Sequence, residues 1–154
     1  MYKILSLIFI IILFLYGDGE YTLCDVASSF EGEFYFYTYQ NIEFSNCNQI
    51  VNGNGYILKT DTKSAKIIYN QLDKSLVKGF SFCVSENQLN VQHFLKNLDA
   101  SIFFEEKIDE INFCYAYSPI FNDFVTIDGQ KINLQICKSD GVIKIGVPLI
   151  LGSI

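Results

Sequence analysis

The chain of 154 residues contains no arginine: all 11 of its basic residues are lysine, set against 17 acidic ones for a formal charge of −6. Arginine's planar fork grips phosphate and guanine through parallel hydrogen bonds, and a net-acidic protein repels a polyanion at long range. Nucleic acid is therefore not expected as a partner. Histidine is nearly absent as well. His93 is the only one, so every imidazole-dependent mechanism has to run through it. Its place between Gln92 and Phe94 on a short helical stretch fits a surface or boundary position better than a catalytic one. The five cysteines stand 23, 36, 31 and 23 residues apart, so neither a Cys-x-x-Cys chelate nor a spaced histidine pair exists, and no metal or other cofactor is expected. A Gly-x-Ser-x-Gly nucleophile elbow is missing. The Gly53-Asn-Gly55 spelling lacks a third glycine and a following Lys-Ser/Thr pair, which excludes a phosphate loop. No repeat of 20–50 residues is spelled out. Carboxylates do pair up at Glu105-Glu106 and Asp109-Glu110, where acid and base roles are conceivable, but clustered acids in a turn are more simply a solvated surface.

What is present begins with Met1-Tyr2-Lys3 and the unbroken apolar run Ile4 to Tyr16, the charge-then-hydrophobic order of a secretory signal. As a helix that run reaches about 20 Å, short of the ~30 Å hydrocarbon core of a bilayer. Residues 1–19 are thus read as a signal segment, with Gly17 and Gly19 at the small positions of a cut after Gly19 and an uncleaved anchor as the alternative. Either outcome implies an exported chain that meets the membrane only through this segment. Lipidation at Cys24 is disfavoured, because Tyr21-Thr-Leu23 lacks the small residue expected before a lipidated cysteine.

The remainder is half apolar and rich in Phe and Tyr, a composition that folds. Asp25 to Phe30 fits one turn of helix. Glu33 to Tyr39 alternates Phe34, Phe36 and Thr38 with Tyr35, Tyr37 and Tyr39, the period of two of a strand. The three tyrosines are a candidate binding surface; a second layer covering them is the simpler reading. Asn52 to Gly55 is a turn joining strands at Ile42–Phe44 and Tyr56–Lys59. From Thr60 or Asp61 to Gly79, a stripe of Ala65, Ile68, Tyr69, Leu72 and Leu76 predicts an amphipathic helix closed by Gly79. A strand follows to Val84, then a helix through Leu98 capped by the serine or asparagine of Ser85-Glu-Asn-Gln. Strands are expected at 101–106 and 111–117, with Ser118-Pro119 turning the chain. A hairpin at Asp128-Gly129 and a turn at Ser139–Gly141 lead into a last strand from Val142 to Val147. The order predicts an α+β fold of antiparallel sheets with helices packed on one face, divided into residues 20–84 and 85–154, with any pocket between the two parts.

Five cysteines in an exported chain raise the question of disulfides. Cys83, Cys114 and Cys137 sit inside strand-like runs, where a thiol packs as a small hydrophobe. Cys24 and Cys47, flanked by polar residues, form the candidate bridging pair, with no bridge expected to be required for folding.

The segments Tyr117-Ser-Pro119, Asp128-Gly-Gln-Lys-Ile-Asn-Leu-Gln-Ile136 and Ile143-Lys-Ile-Gly-Val-Pro-Leu-Ile150 resemble, in order, the C-terminal signature of the YwmB-like family of small exported Gram-positive proteins. The resemblance extends over roughly residues 61–150, with Ala116 where the family often has Gly and Val147 where it often has Thr. It implies a TATA-box-binding-like fold of two helix-over-sheet subdomains, here with a shortened first one, and an exported location; it carries over no catalytic residues. The leading expectation is a non-enzymatic binding module of the envelope or cell surface. The alternatives are a thiol-dependent enzyme pairing a strand cysteine with His93, and nucleic-acid binding by analogy of fold.

Overall fold

The computed structural model describes residues 19–151; the signal segment expected over residues 1–19 lies, apart from Gly19, outside the described residues. The chain opens with helix α1 (Gly19–Ala27), longer than the single turn expected at Asp25, and passes into strand β1 (Gly32–Thr38). On β1 the period of two holds: Phe34, Phe36 and Thr38 are fully buried and the tyrosines between them only half so. Strands β2 (Asn48–Asn52) and β3 (Gly55–Asp61) form a hairpin through Gly53, whose positive φ of 57° suits a residue without a side chain. The strand expected at Ile42–Phe44 is instead a loop. Gln49 reaches back to accept a hydrogen bond from the Ile42 amide, and a turn from Phe44 to Cys47 delays the strand until Asn48.

The long helix expected from residue 61 to 78 is cut short. Helix α2 spans Ala65–Gln71; Leu72 is already extended, the Asp73 carboxylate caps a 3-10 turn at Lys74–Leu76, and the β-branched Val77 starts strand β4 (Val77–Ser85). Gly79 therefore lies inside a strand rather than closing a helix. After β4 a second 3-10 turn (Glu86–Gln88) precedes helix α3 (Val91–Asn97), so the cap is Asn90, whose side chain accepts from the His93 amide, and not a residue of Ser85-Glu-Asn.

The second half is antiparallel throughout: β5 (Ser101–Ile108), β6 (Ile111–Tyr117), the small hairpin β7 (Val125–Ile127) and β8 (Gln130–Ile132), then β9 (Leu134–Ser139) and β10 (Val142–Val147). Asp128-Gly129 and Asp140-Gly141 both hold positive φ at their two central positions, as two-residue hairpin turns require. Between β8 and β9 the fully buried Asn133 accepts from the Ser118 amide and donates to the carbonyls of Ser118 and Phe121. It stitches the chain reversal at Ser118-Pro119 to the start of β9.

The eight main strands form one continuous sheet in the order β2-β3-β1-β4-β10-β9-β6-β5, every pair antiparallel, with β4 and β10 side by side where the two halves meet. Antiparallel partners share a face, so the registers assign each residue to a side. One side carries Phe34, Phe36, Leu58, Phe80 and Phe82 with Ile143, Ile145 and Val147, and the helices cover it. Tyr69 of α2 meets Phe80 edge-on at 5.8 Å, Phe94 of α3 meets Phe82 at 6.1 Å, and Leu23, Cys24 and Ala27 of α1 join the same core. A sheet-rich α+β fold with its helices on one face results, as composition and order predicted.

Candidate functional site

Among the described residues, no helix packs on the other side of the sheet. The same registers that bury the phenylalanines line up two cross-strand rows there. One runs Glu33, Cys83, Lys144, Cys137 and Phe113 across β1, β4, β10, β9 and β6. The next runs Lys59, Tyr35, Ser81, Gly146, Gln135 and Tyr115 from β3 to β6. Polar and apolar side chains alternate with buried ones along each strand, which is why one short sequence supplies both a core and a site.

The parts of these rows from β3 to β9 floor a trough of about 790 Å³ that straddles the β4–β10 junction. Its floor includes Glu33, Tyr35, Ser81, Cys83, Cys137 and Lys144. Its apolar rim comes from Ile50 and Val51 at one end, Val142 at the other, and Ile150 and Leu151 along the side. The last two belong to the segment after β10, which crosses back over the open face. There the amide of Ile150 donates to Gln135 Oε1 at 3.0 Å and that of Leu151 to Ser81 Oγ at 3.0 Å. Gly146 makes the crossing feasible: a Cβ at that position would stand 2.2 Å from the Ile150 nitrogen. Gly79 lies under the Leu151 side chain in the same way, at an ordinary contact distance of 3.5 Å.

The electrostatics are local and balanced. Lys59 pairs with Glu33 at 2.6 Å, and the Tyr35 hydroxyl donates to the same carboxylate. The Lys59 contact first, then the tyrosine, holds the Glu33 carboxyl below the ordinary value of 4.5. Burial, followed by the Glu33 hydrogen bond, pushes the Tyr35 phenol up. Lys144 stands directly between Cys83 and Cys137, a placement that favours thiolates, yet burial outweighs it and raises both thiols above 9.0. Burial likewise raises Cys47, and takes Cys114, on the helix-covered side, to about 11.

Of the tyrosine row read from the sequence, only Tyr35 reaches the trough. Tyr37 lies across Gly55, where a Cβ would come within 2.7 Å of its hydroxyl, and Tyr39, just past the strand end, is 54 % exposed and meets Tyr37 edge-on at 5.6 Å. His93 is exposed on α3, across the sheet from Cys83 and Cys137. Cys24 is buried in the core and Cys47 half-buried, and no disulfide joins any two of the five cysteines. The acidic run Glu105 to Glu110 forms the exposed end of the β5–β6 hairpin, where Glu106 accepts from the Tyr115 hydroxyl at 2.6 Å. Ser118 is buried, donating its hydroxyl to the Leu98 carbonyl. Among the described residues no group of three or more His, Cys, Asp or Glu is arranged to hold a metal ion, and no helix is long and apolar enough to cross a membrane.

Sequence reading placed any pocket between residues 20–84 and 85–154, and the trough takes its lining from both parts, but of that lining it singled out only Tyr35 as a binding residue, because the rest is scattered over six strands and the segment after β10. Two signals pointed to it without being decisive: the hydroxyl-bearing face of β1, and polar residues alternating with hydrophobic ones through Phe80–Val84 and Leu134–Cys137. No protein-family model, curated protein or solved structure matches the chain.

Proposed function

We propose that this protein is an exported, non-enzymatic binding module that takes its ligand on the open face of the sheet. One observation carries the reading: the sheet face opposite the described helices bears a cavity of about 790 Å³ with a polar floor and an apolar rim, the combination that binds and orients a ligand. Export is supported by the lysine-then-apolar order of residues 1–16, and the likeness to YwmB-like proteins in residues 117–150 points the same way. The thiols support a binding role over a reactive one. A nucleophilic cysteine needs a lowered pKa and an activating base; here burial raises the thiols, and the only imidazole is on the opposite side of the sheet.

The direct test is alkylation of the folded protein with iodoacetamide at pH 7. Cys83 and Cys137 should react more slowly than a free cysteine peptide. A rate above that of the peptide at either position would overturn the non-enzymatic reading in favour of a thiol-dependent activity. Export is tested separately by cell fractionation and N-terminal sequencing of the mature chain, and recovery of the intact chain from the cytosol would refute it.

A further inference from the structure

We infer that the trough takes an extended, uncharged peptide segment laid across the strands, held by hydrogen bonds from its main chain to side chains of the sheet. This rests on the binding-module reading and specifies its ligand. The first observation is shape. From Lys59 on β3 to Cys137 on β9 the floor spans four interstrand steps of roughly 4.8 Å, about 19 Å in all, which matches about six residues of extended chain at ~3.3 Å each. The lining crosses the strands obliquely, from Ile50 and Ile57 at one corner to Ser139 and Val142 at the other. A chain lying that way cannot join the sheet by ladder hydrogen bonds, so it has to be received by side chains.

The second observation is that the molecule already receives a chain in this manner. The segment after β10 lies across the same face, and its two consecutive amides at Ile150 and Leu151 are taken by the side-chain oxygens of Gln135 and Ser81. Gln135 and Ser81 belong to one cross-strand row, which continues past Ser81 to Tyr35 and Lys59 on the trough floor. The trough runs alongside that crossing segment and offers further acceptors of the same kind: the Glu33 carboxylate, whose two oxygens exceed the needs of Tyr35 and Lys59, and the Ser139 and Asp140 side chains.

Charge and polarity separate the peptide from other occupants. Glu33 and Asp140 balance Lys59 and Lys144 among the lining groups, so neither a polyanion nor a polycation is favoured. An acyl chain of the same length would leave those floor groups facing hydrocarbon, which costs free energy without returning a hydrogen bond. A peptide meets both surfaces, directing main-chain N–H groups at the floor and small apolar side chains at Ile50, Val51, Val142 and Ile150.

The test uses the full chain, isotopically labelled, titrated by NMR with three probes: the blocked hexapeptide acetyl-(Ser-Val)3-amide, the same peptide N-methylated along its backbone, and dodecanoate. The hexapeptide should shift the signals of Ser81, Cys83 and Lys144 in a saturable manner, with the N-methylated form binding at least tenfold more weakly. Val142→Trp should abolish the shifts, and Ile102→Ser, on the distant strand β5, should leave them unchanged. If Val142→Trp does not fold, Val51→Trp at the exposed rim serves the same purpose. Equal binding of the two peptides, or saturable binding of dodecanoate alone, overturns the peptide inference while leaving a binding module. Absence of trough shifts with all three probes overturns both.

Discussion

The two faces of the sheet come from the same residues of the same strands, yet they are built to opposite ends. On β4, Phe80, Phe82 and Val84 are sealed beneath α2 and α3, while Ser81 and Cys83, one residue away in each case, face the trough. The covered face is filled with rings in edge-on and stacked contact, from Phe34 against Phe82 to Phe36 against Phe80. The open face presents mostly small, hydroxylated or charged side chains to the trough and is crossed by the segment after β10. A strand that alternates in this way separates stability from recognition at single-residue spacing, so that substitutions on the open side can change what is bound without dismantling the core.

The sharpest way to break that comparison is to substitute neighbours. Phe82→Ala removes a fully buried ring that touches Phe34 and Phe94 and should cost about 3–5 kcal/mol of unfolding free energy in urea titrations. Cys83→Ala, the next residue, should cost less than about 1.5 kcal/mol, since it truncates a half-buried thiol beside a cavity. Similar losses from both would mean that the open face is as tightly built as the covered one.

An intermediate effect is expected at the crossing segment. Gly146→Ala places a methyl group 2.2 Å from the Ile150 nitrogen, so either the crossing segment lifts off or β10 shifts, at about 1–3 kcal/mol as for other overpacked sites. Hydrogen exchange at the Ile150 and Leu151 amides should accelerate while the β4–β10 ladder stays protected. Unchanged protection of those two amides would show that the segment does not depend on the glycine.

The smallest effect is electrostatic. Glu33 titrates below its ordinary value in the folded chain, so below about 4.5 the unfolded chain binds the extra proton first. The stability contributed by Glu33 is therefore present above pH 4.5 and is lost as the pH falls through its folded value. Because the pair with Lys59 is partly exposed, the loss should stay under about 1 kcal/mol. Glu33→Gln should flatten that part of the stability–pH curve, and an unaltered slope would assign the acid dependence to other carboxylates.

Much of the covered face is legible in the sequence. The alternation at Glu33–Tyr39 gives β1 with its phenylalanines inward, and the Asp-Gly pairs at 128–129 and 140–141 give two hairpins, because in each case local chemistry and the final environment agree. The helix expected over residues 61–78 comes out as seven residues, because a stripe spaced at three and four also fits a short helix, a turn and the first residue of a strand. Nothing in the pattern distinguishes them until Asp73 is seen capping Ser75. The trough was beyond local reading for a different reason. It depends on which strands are neighbours, and the pairing of β4 with β10 joins residues about sixty positions apart.

The ends of the sheet carry a further implication. β2 and β5 are edge strands, and β5 is uncovered on both sides, leaving Ile102, Phe103 and Ile108 in solvent with backbone groups along its outer margin unpaired. Left plain, such a border would recruit other copies into an endless ribbon. The irregular pairing between Ile102 and Phe104 and the charged triplet Glu105-Glu106-Lys107 act as its guard, since a bulge and a run of charges both spoil the register that self-association needs. Neutralising that triplet is thus the change in this chain most apt to promote edge-to-edge assembly into fibres.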